Sequence, residues 1–409
     1  MSVRASVPVD RTVGTAAEPR TVYLDHAATT PMVPAAVEAM TGLLGSVGNP
    51  SSLHASGRRA RRVVEESREQ VAAAVGCRPG DVVFTSGGTE ADNLAVKGLF
   101  WARRGADPAR RRVLTTAVEH HAVLDPAHWL AEHHGAEVEH LPVDSRGRLE
   151  TAALAAALER DPGSVALVSV MWGNNEVGTL QPLDEVVALA SAHGVPVHTD
   201  GVQAVGAVEV DVAALGVDAL TVSAHKLGGP YGVGALVCRR EVGLVPMVHG
   251  GGQEQDLRSG TVDAPSIAGF ATAVTAAAEQ QAEHAAHLAA LRRRLVAGVR
   301  GVVGDVVENG DPTHRLPGIA HLTFPGCEGD SLLMLLDARG IECSTGSACS
   351  SGVPQASHVL LAMGCDDAAA RGSLRFSLGR GSTEADVDAV VAEIGPVVER
   401  ARAAGRRSW

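Results

Sequence analysis

The chain has 409 residues, is 45% hydrophobic but only 3% aromatic, and carries a formal net charge of −12. That is enough apolar material for a large core in two domains, while the acidic balance disfavours direct nucleic-acid binding and no apolar run has the length of a membrane span. Six cysteines without paired spacing indicate a reducing, cytoplasmic compartment.

In chain order, residues 1–20 read as a loose N-terminal tail without the apolar stretch of a secretory signal. From about residue 80 to 240 short apolar runs alternate with helical stretches: Val82–Thr85, Val113–Ala117, Val138–Pro142, Ala166–Met171, Val195–Thr199, Ala219–Ser223 and Gly234–Cys238. This pattern predicts an α/β fold with a mostly parallel seven-stranded sheet covered by helices, its chemistry carried on loops at strand ends. The Ala-rich run from about Ile267 to Val299 predicts one long helix leading into a smaller α/β unit. There Gly318–Phe324, Ile341–Ser344 and Leu374–Leu378 read as strands, and Asp330–Ala338 and Glu384–Ala401 as helices. The expected division is a large domain over 36–279 and a small domain made of 21–35 and 280–409.

Lysine is nearly absent: Lys97 and Lys226 are the only two, and arginine supplies every other cationic side chain of this kind. Lys226 stands in Ser223-Ala224-His225-Lys226-Leu227-Gly228-Gly229, where a strand meets a glycine-rich turn. A desolvated lysine amine loses its proton near neutral pH and forms a Schiff base, which a guanidinium does not. Upstream, Val195-Pro196-Val197-His198-Thr199 ends on Asp200, with Gln203 in the following loop. A carboxylate against a pyridine nitrogen keeps it protonated and makes pyridoxal phosphate an electron sink, and Gln203 is placed to reach the ring's phenolic oxygen. A strand, the pair Gly87-Gly88 and a helix opening on Thr89 supply backbone N–H groups for the phosphate, with Ser223 and His225 as further ligands. Taken singly, these are surface, cap or turn residues; the pairing of Asp200 with Lys226 makes the cofactor the better reading.

These segments resemble the cysteine desulfurases, housekeeping and nitrogen-fixation type, of the class-V aminotransferase-like, fold-type I pyridoxal phosphate enzymes. The resemblance covers roughly residues 21 to 395. It runs through Tyr23-Leu24-Asp25-His26-Ala27-Ala28, Asn49-Pro50-Ser51-Ser52-Leu53-His54, Glu119-His120-His121, Asn174-Asn175-Glu176-Val177-Gly178, Arg258-Ser259-Gly260-Thr261, Ser344-Thr345-Gly346-Ser347-Ala348-Cys349 and Arg375-Phe376-Ser377. It implies Lys226 as the covalent anchor of the cofactor, Asp200 as partner of the pyridine nitrogen, and Gln203 and Asn175 as partners of the phenolic oxygen. By the same match His120 stacks on the ring and assists proton transfer, and Gly88, Thr89, Ser223 and His225 cradle the phosphate. Thr261 matches a threonine that reaches the phosphate of a second subunit, which implies a homodimer.

The resemblance further implies that Arg375 grips the α-carboxylate of L-cysteine, with Asn175 nearby, and that Cys349 takes the sulfur as a persulfide and releases L-alanine. Cys349 lies in a run of small residues, Ser347-Ala348-Cys349-Ser350-Ser351-Gly352, expected to be an exposed, mobile loop. Cys77, Cys238, Cys327 and Cys365 are expected to be buried and inert, with Cys343 left open by its closeness to Cys349. His120, His121, His133 and His134 lack metal-ligand spacing. Ser223-x-x-Lys226 has no accompanying Ser-Asp-Asn or Lys-Thr-Gly to make an acyl enzyme. A selenocysteine lyase or a dedicated sulfur donor is the alternative. Because the run Ala401–Trp409 lacks the longer tail by which housekeeping members bind their scaffold, the sulfur acceptor stays open among an iron–sulfur scaffold, a tRNA-thiolation enzyme, DNA phosphorothioation machinery and a dedicated biosynthetic sulfur carrier.

Overall fold

The protein is described from a computed structural model over residues 21–346 and 356–405. A two-residue strand, β1 (Val22–Tyr23), precedes the strands of the main sheet: β2 (Val82–Thr85), β3 (Arg112–Thr116), β4 (Glu137–Leu141), β5 (Val165–Ser169), β6 (Val197–Asp200), β7 (Ala219–Ser223) and β8 (Gly234–Cys238). Their order is β2-β8-β7-β6-β5-β3-β4, and β8 alone runs antiparallel to its neighbours. The predicted seven-stranded, mostly parallel sheet is therefore present.

Its Val-, Leu- and Ala-rich strands are buried throughout except at the β4 edge, where Glu137 and His140 face solvent. Burial on both faces requires helices on both sides. On one side Val71 and Val75 of the helix Ala55–Val75 and Ile267, Phe270 and Val274 of Ala264–Glu279 join the core beneath β5 to β7. On the other, Leu94, Leu99 and Phe100 of Gly88–Ala106 pack with Val123 and Leu130 of His121–His134.

The second apolar core is built on β9 (Val307–Asn309), β10 (Ile319–Thr323), β11 (Ile341–Glu342) and β12 (Ser373–Ser377). Strands β12-β10-β9 form an antiparallel sheet, while β11 pairs in parallel with β1 through Val22 and Ile341. The helices Gln281–Val302, Gly329–Asp337 and Glu384–Gly405 complete this core with Leu295, Leu336, Ile394 and Val397.

The Ala-rich run expected as one helix is two, Ala264–Glu279 and Gln281–Val302, broken at Gln280 (φ −101°, ψ 6°). Alanine periodicity continues through the break, so neighbours rather than propensity set it. Gln281 Nε2 donates to the Ala207 carbonyl (2.9 Å), and Arg380 donates to the Gln280 side chain. Among the described residues no helix is long and apolar enough to cross a membrane.

Candidate active site

A cavity of about 330 Å³ opens where β6 and β7 end, and among the described residues it takes in every predicted site residue except Thr261. Asp200 is the last residue of β6, and Ser223, the last of β7, is followed by the single turn Ala224–Lys226. Neighbouring parallel strands thus deliver the acid and the amine to one rim, as strand ends do in doubly wound sheets. Asn175, Gln203, His120 and His225 arrive on the adjoining turns, and Arg375 reaches in from β12 of the second core.

Burial pushes the Lys226 ammonium down to about 8, helped by Arg375 and opposed by Asp200 and Asp25. Its Nζ donates to the carbonyls of Ala27 (2.6 Å) and Ala28 (2.7 Å), and Gln203 Nε2 shares the first of these acceptors (2.8 Å). Asp200 moves the other way, to about 7, through burial and the adjacent Asp92 carboxyl, although Val202 N–H donates to its Oδ1 (2.9 Å). Acid and amine therefore both titrate close to neutrality, the arrangement expected where protons are exchanged.

His120 caps the helix His121–His134, its Nδ1 accepting from Ala122 N–H (3.1 Å). In the neutral ring the proton consequently sits on Nε2, and burial favours that neutral form by lowering the imidazole's pKa. His225 is held by Thr29 Oγ1 (3.3 Å) and by stacking on Tyr231, with ring centroids 5.7 Å apart, and burial lowers it to about 4.

The residues present fit pyridoxal phosphate. Among the described residues Ser223 Oγ is buried without a partner, beside the opening turn of the helix Gly88–Ala106 whose first N–H groups have no intrahelical acceptor. A Cβ at Gly88 would come within 3.0 Å of Val202 Cγ2, so a side chain there would crowd the cradle. At the opposite end Arg375 Nη1 donates to the Asn175 carbonyl (2.9 Å) and Nη2 to Asp25 Oδ1 (2.6 Å), leaving a buried Nε without a partner among the described residues.

Thr261 is not brought to this cavity: it is exposed and lines another, with Asn49, Pro50 and Arg61. Cys349 lies outside the described residues. Of the other cysteines, burial raises the thiols of Cys77, Cys238 and Cys343 to about 12 and those of Cys327 and Cys365 in the same direction. Cys343 packs into the second core, and none of these five is activated as a nucleophile.

Sequence reasoning assigned no role to Asp25, Asp92 or Glu176. Asp92 is a buried carboxyl, raised to about 7 by desolvation, with Oδ1 3.5 Å from His198 Nε2 behind Asp200. Its signal was an acid on the apolar stripe Ala91, Leu94, Ala95 of an otherwise amphipathic helix.

The chain matches the model of the family "Aminotransferase class-V" over residues 22–390. It is 58% identical over 383 residues to an IscS-like cysteine desulfurase of Mycobacterium tuberculosis, covering 93% of this chain and 97% of that one. It is 42% identical to the cysteine desulfurase NifS of Azotobacter vinelandii, over 93% of each. Among solved structures, a NifS-like protein superposes with a TM-score of 0.86 at 35% identity, over 93% of this chain and all of that one. DndA from Streptomyces lividans gives 0.72 at 38% identity, over 87% of this chain and 99% of that one. Taken with the lysine, acid and arginine gathered on one cavity, these matches establish that the chain belongs to the class-V aminotransferase family and, within it, to the cysteine desulfurases.

Proposed function

We propose that this cavity binds pyridoxal phosphate and L-cysteine and that the chain transfers the substrate's sulfur to Cys349, releasing L-alanine. The observation that carries the reading is the gathering of Lys226, brought to about 8, with Asp200 and Arg375 on one cavity. Once bound, pyridoxal phosphate supplies an electron sink for the α-carbon. Asp200 would partner its pyridine nitrogen, Gln203 and Asn175 would hold its phenolic oxygen, and Gly88, Thr89, Ser223 and His225 would hold its phosphate. Arg375 binds the α-carboxylate through a fork whose orientation Asp25 and the Asn175 carbonyl fix.

Lys226, partly neutral near pH 8, takes and returns the α-proton, and His120 offers Nε2–H to the leaving sulfur's side of the exchange. The Cys349 thiolate attacks the substrate sulfur, the carbon–sulfur bond breaks with its electron pair going to carbon, and a proton equivalent to the one lost by the thiol ends on that carbon. The carbon is reduced and Cys349 oxidised to a persulfide, so no outside reductant enters. Thr261, turned away from its own chain's cavity, completes the phosphate site of a second copy. The persulfide then serves an acceptor protein, an iron–sulfur scaffold, a thiolation enzyme or a sulfur carrier.

The test is Cys349→Ser. It should retain the yellow cofactor and its spectral change on adding L-cysteine, yet form no persulfide and no alanine. Continued turnover by this variant overturns the assignment. Sedimentation of a fully active monomer would remove the role given to Thr261.

A further inference from the structure

Asp92 lines the cavity together with Asp200, yet the chemistry above leaves it unused. Among the described residues three carboxyls line this cavity, Asp92, Glu176 and Asp200, and two of them are held by hydrogen bonds. Ser357 Oγ donates to Glu176 Oε2 (2.5 Å), and Val202 N–H donates to Asp200 Oδ1 (2.9 Å). Asp92 is only 1% exposed, but its Oδ1 accepts no hydrogen bond from any described residue. A buried carboxyl left in that state costs stability. Its surroundings are otherwise apolar: Ala91, Leu94 and Ala95 of the same helix share a core with Ala219 of β7.

One polar file crosses this apolar layer and ends at Asp92. The register pairs Ser169 with His198, His198 with Ala219, and Asp200 with Thr221. Side chains alternate along a strand, so Ser169, His198, Asp200 and Thr221 all project on the face that Ala219 turns to the helix Gly88–Ala106. Ser169 Oγ lies 2.9 Å from His198 Nδ1, and His198 Nε2 lies 3.1 Å from Thr221 Oγ1 and 3.5 Å from Asp92 Oδ1. Burial lowers the His198 imidazole to about 4, so the ring is neutral and carries one proton. With the Ser169 hydroxyl donating to Nδ1, that proton sits on Nε2 and points to Thr221 and Asp92. The Thr221 hydroxyl favours the charged form of Asp92, against the desolvation that raises it to about 7. After burial, the Asp92 charge is what raises Asp200 most, with His120 and His198 opposing it.

We propose that Asp92 is a positioning residue for the proton of the pyridine site: its carboxylate, oriented by His198 and Thr221, strengthens the hold of Asp200 on a protonated ring nitrogen. Two carboxyls acting on one site bind a proton more tightly than one. The proposal rests on the cavity binding pyridoxal phosphate.

The experiment measures by equilibrium dialysis the Kd of the apoprotein for pyridoxal phosphate and, separately, for the analogue in which carbon replaces the pyridine nitrogen. One pKa unit of interaction is a tenfold factor, so Asp92→Asn, which keeps the shape and removes the charge, should weaken pyridoxal phosphate roughly tenfold. The analogue has no ring proton to hold, and its Kd should agree between parent and variant within about twofold. Thr221→Val should give the same selective loss to a smaller degree, and Thr221→Ser, which keeps the hydroxyl, should restore the parent Kd. Should Asp92→Asn fail to fold, the Thr221 pair decides alone. Equal weakening of cofactor and analogue would reduce Asp92 to a structural carboxyl, and an unchanged Kd for both would remove the proposal outright. A parent apoprotein that binds no pyridoxal phosphate overturns the cofactor reading and this proposal with it. Tight binding by the parent beside an Asp92→Asn variant without the selective loss overturns this proposal alone.

Discussion

Asp200 and Lys226 stand at or just past the ends of strands in the parallel sheet, whereas Arg375 stands in the middle of β12, opposite His321 in the antiparallel one. At the strand ends, burial without full pairing moves the acid up to about 7 and the amine down to about 8, so both can change charge near neutrality. In mid-strand the guanidinium is clamped by Asp25 and a backbone carbonyl and keeps its charge. The difference teaches that one cavity can draw exchangeable protons from one sheet and a fixed cation from another.

The strongest way to break this contrast is Lys226→Ala. Removing a proton-transfer group costs roughly 10²- to 10⁴-fold, and kcat should fall by that much. Borohydride, which fixes the chromophore on Lys226 in the parent, should leave the variant's cofactor removable by dialysis. Turnover at the parent rate would end the assignment. Asp200→Asn keeps the shape and deletes the charge. Its loss in kcat should be on the order of 10²-fold, as for other preorganised electrostatic groups, with an altered cofactor absorption band.

Arg375→Lys probes the other side. A charge-assisted fork contributes about 1.5–3 kcal/mol, so KM for L-cysteine should rise roughly 10- to 100-fold while kcat falls less. An equal fall in kcat alone would mean that Arg375 acts in proton transfer rather than binding.

A pH series sharpens the comparison further. Below about 8 Lys226 is mostly an ammonium and attaches the cofactor slowly; above it most of the amine is free. Cofactor uptake by the apoprotein, followed by its yellow absorption, should therefore accelerate through pH 8 and level off. Because the Asp200 charge raises the Lys226 pKa, Asp200→Asn should move this midpoint to lower pH. The smallest effect belongs to Cys343→Ala: a buried, unactivated thiol contributes packing worth about 1 kcal/mol, so stability should drop slightly while persulfide formation on Cys349 continues.

The main sheet was legible because its strands are short apolar runs punctuated by glycine, charge or turn residues: Val82–Thr85, Ala219–Ser223 and Gly234–Cys238 coincide with β2, β7 and β8. β9, Val-Glu-Asn with an exposed first residue, carries no such signal. Neither does the break at Gln280, which long-range partners impose. Lys226 and Asp200 were legible because a lysine and an acid closing two nearby strands make a pair that caps and turns do not require, whereas His120, Asn175 and Arg375 were found through the family resemblance. Asp25, Asp92 and Glu176 were not, since each acts on another side chain or backbone segment, and such pairings appear only once the chain is folded.

The hydrogen bond from Arg375 to Asp25 joins residues 350 positions apart, beside the pairing of β1 with β11. Ribosomes add about 5–20 residues per second, so the amino-terminal half of this clamp waits on the order of 20 to 70 s for its partner to be made. During that interval the parallel strands and their cradle are synthesised, while the arginine that reads the substrate does not yet exist. Recognition of the amino acid is thus the last part of the cavity to be assembled at birth, and the loop its contacts close is among the longest in the fold.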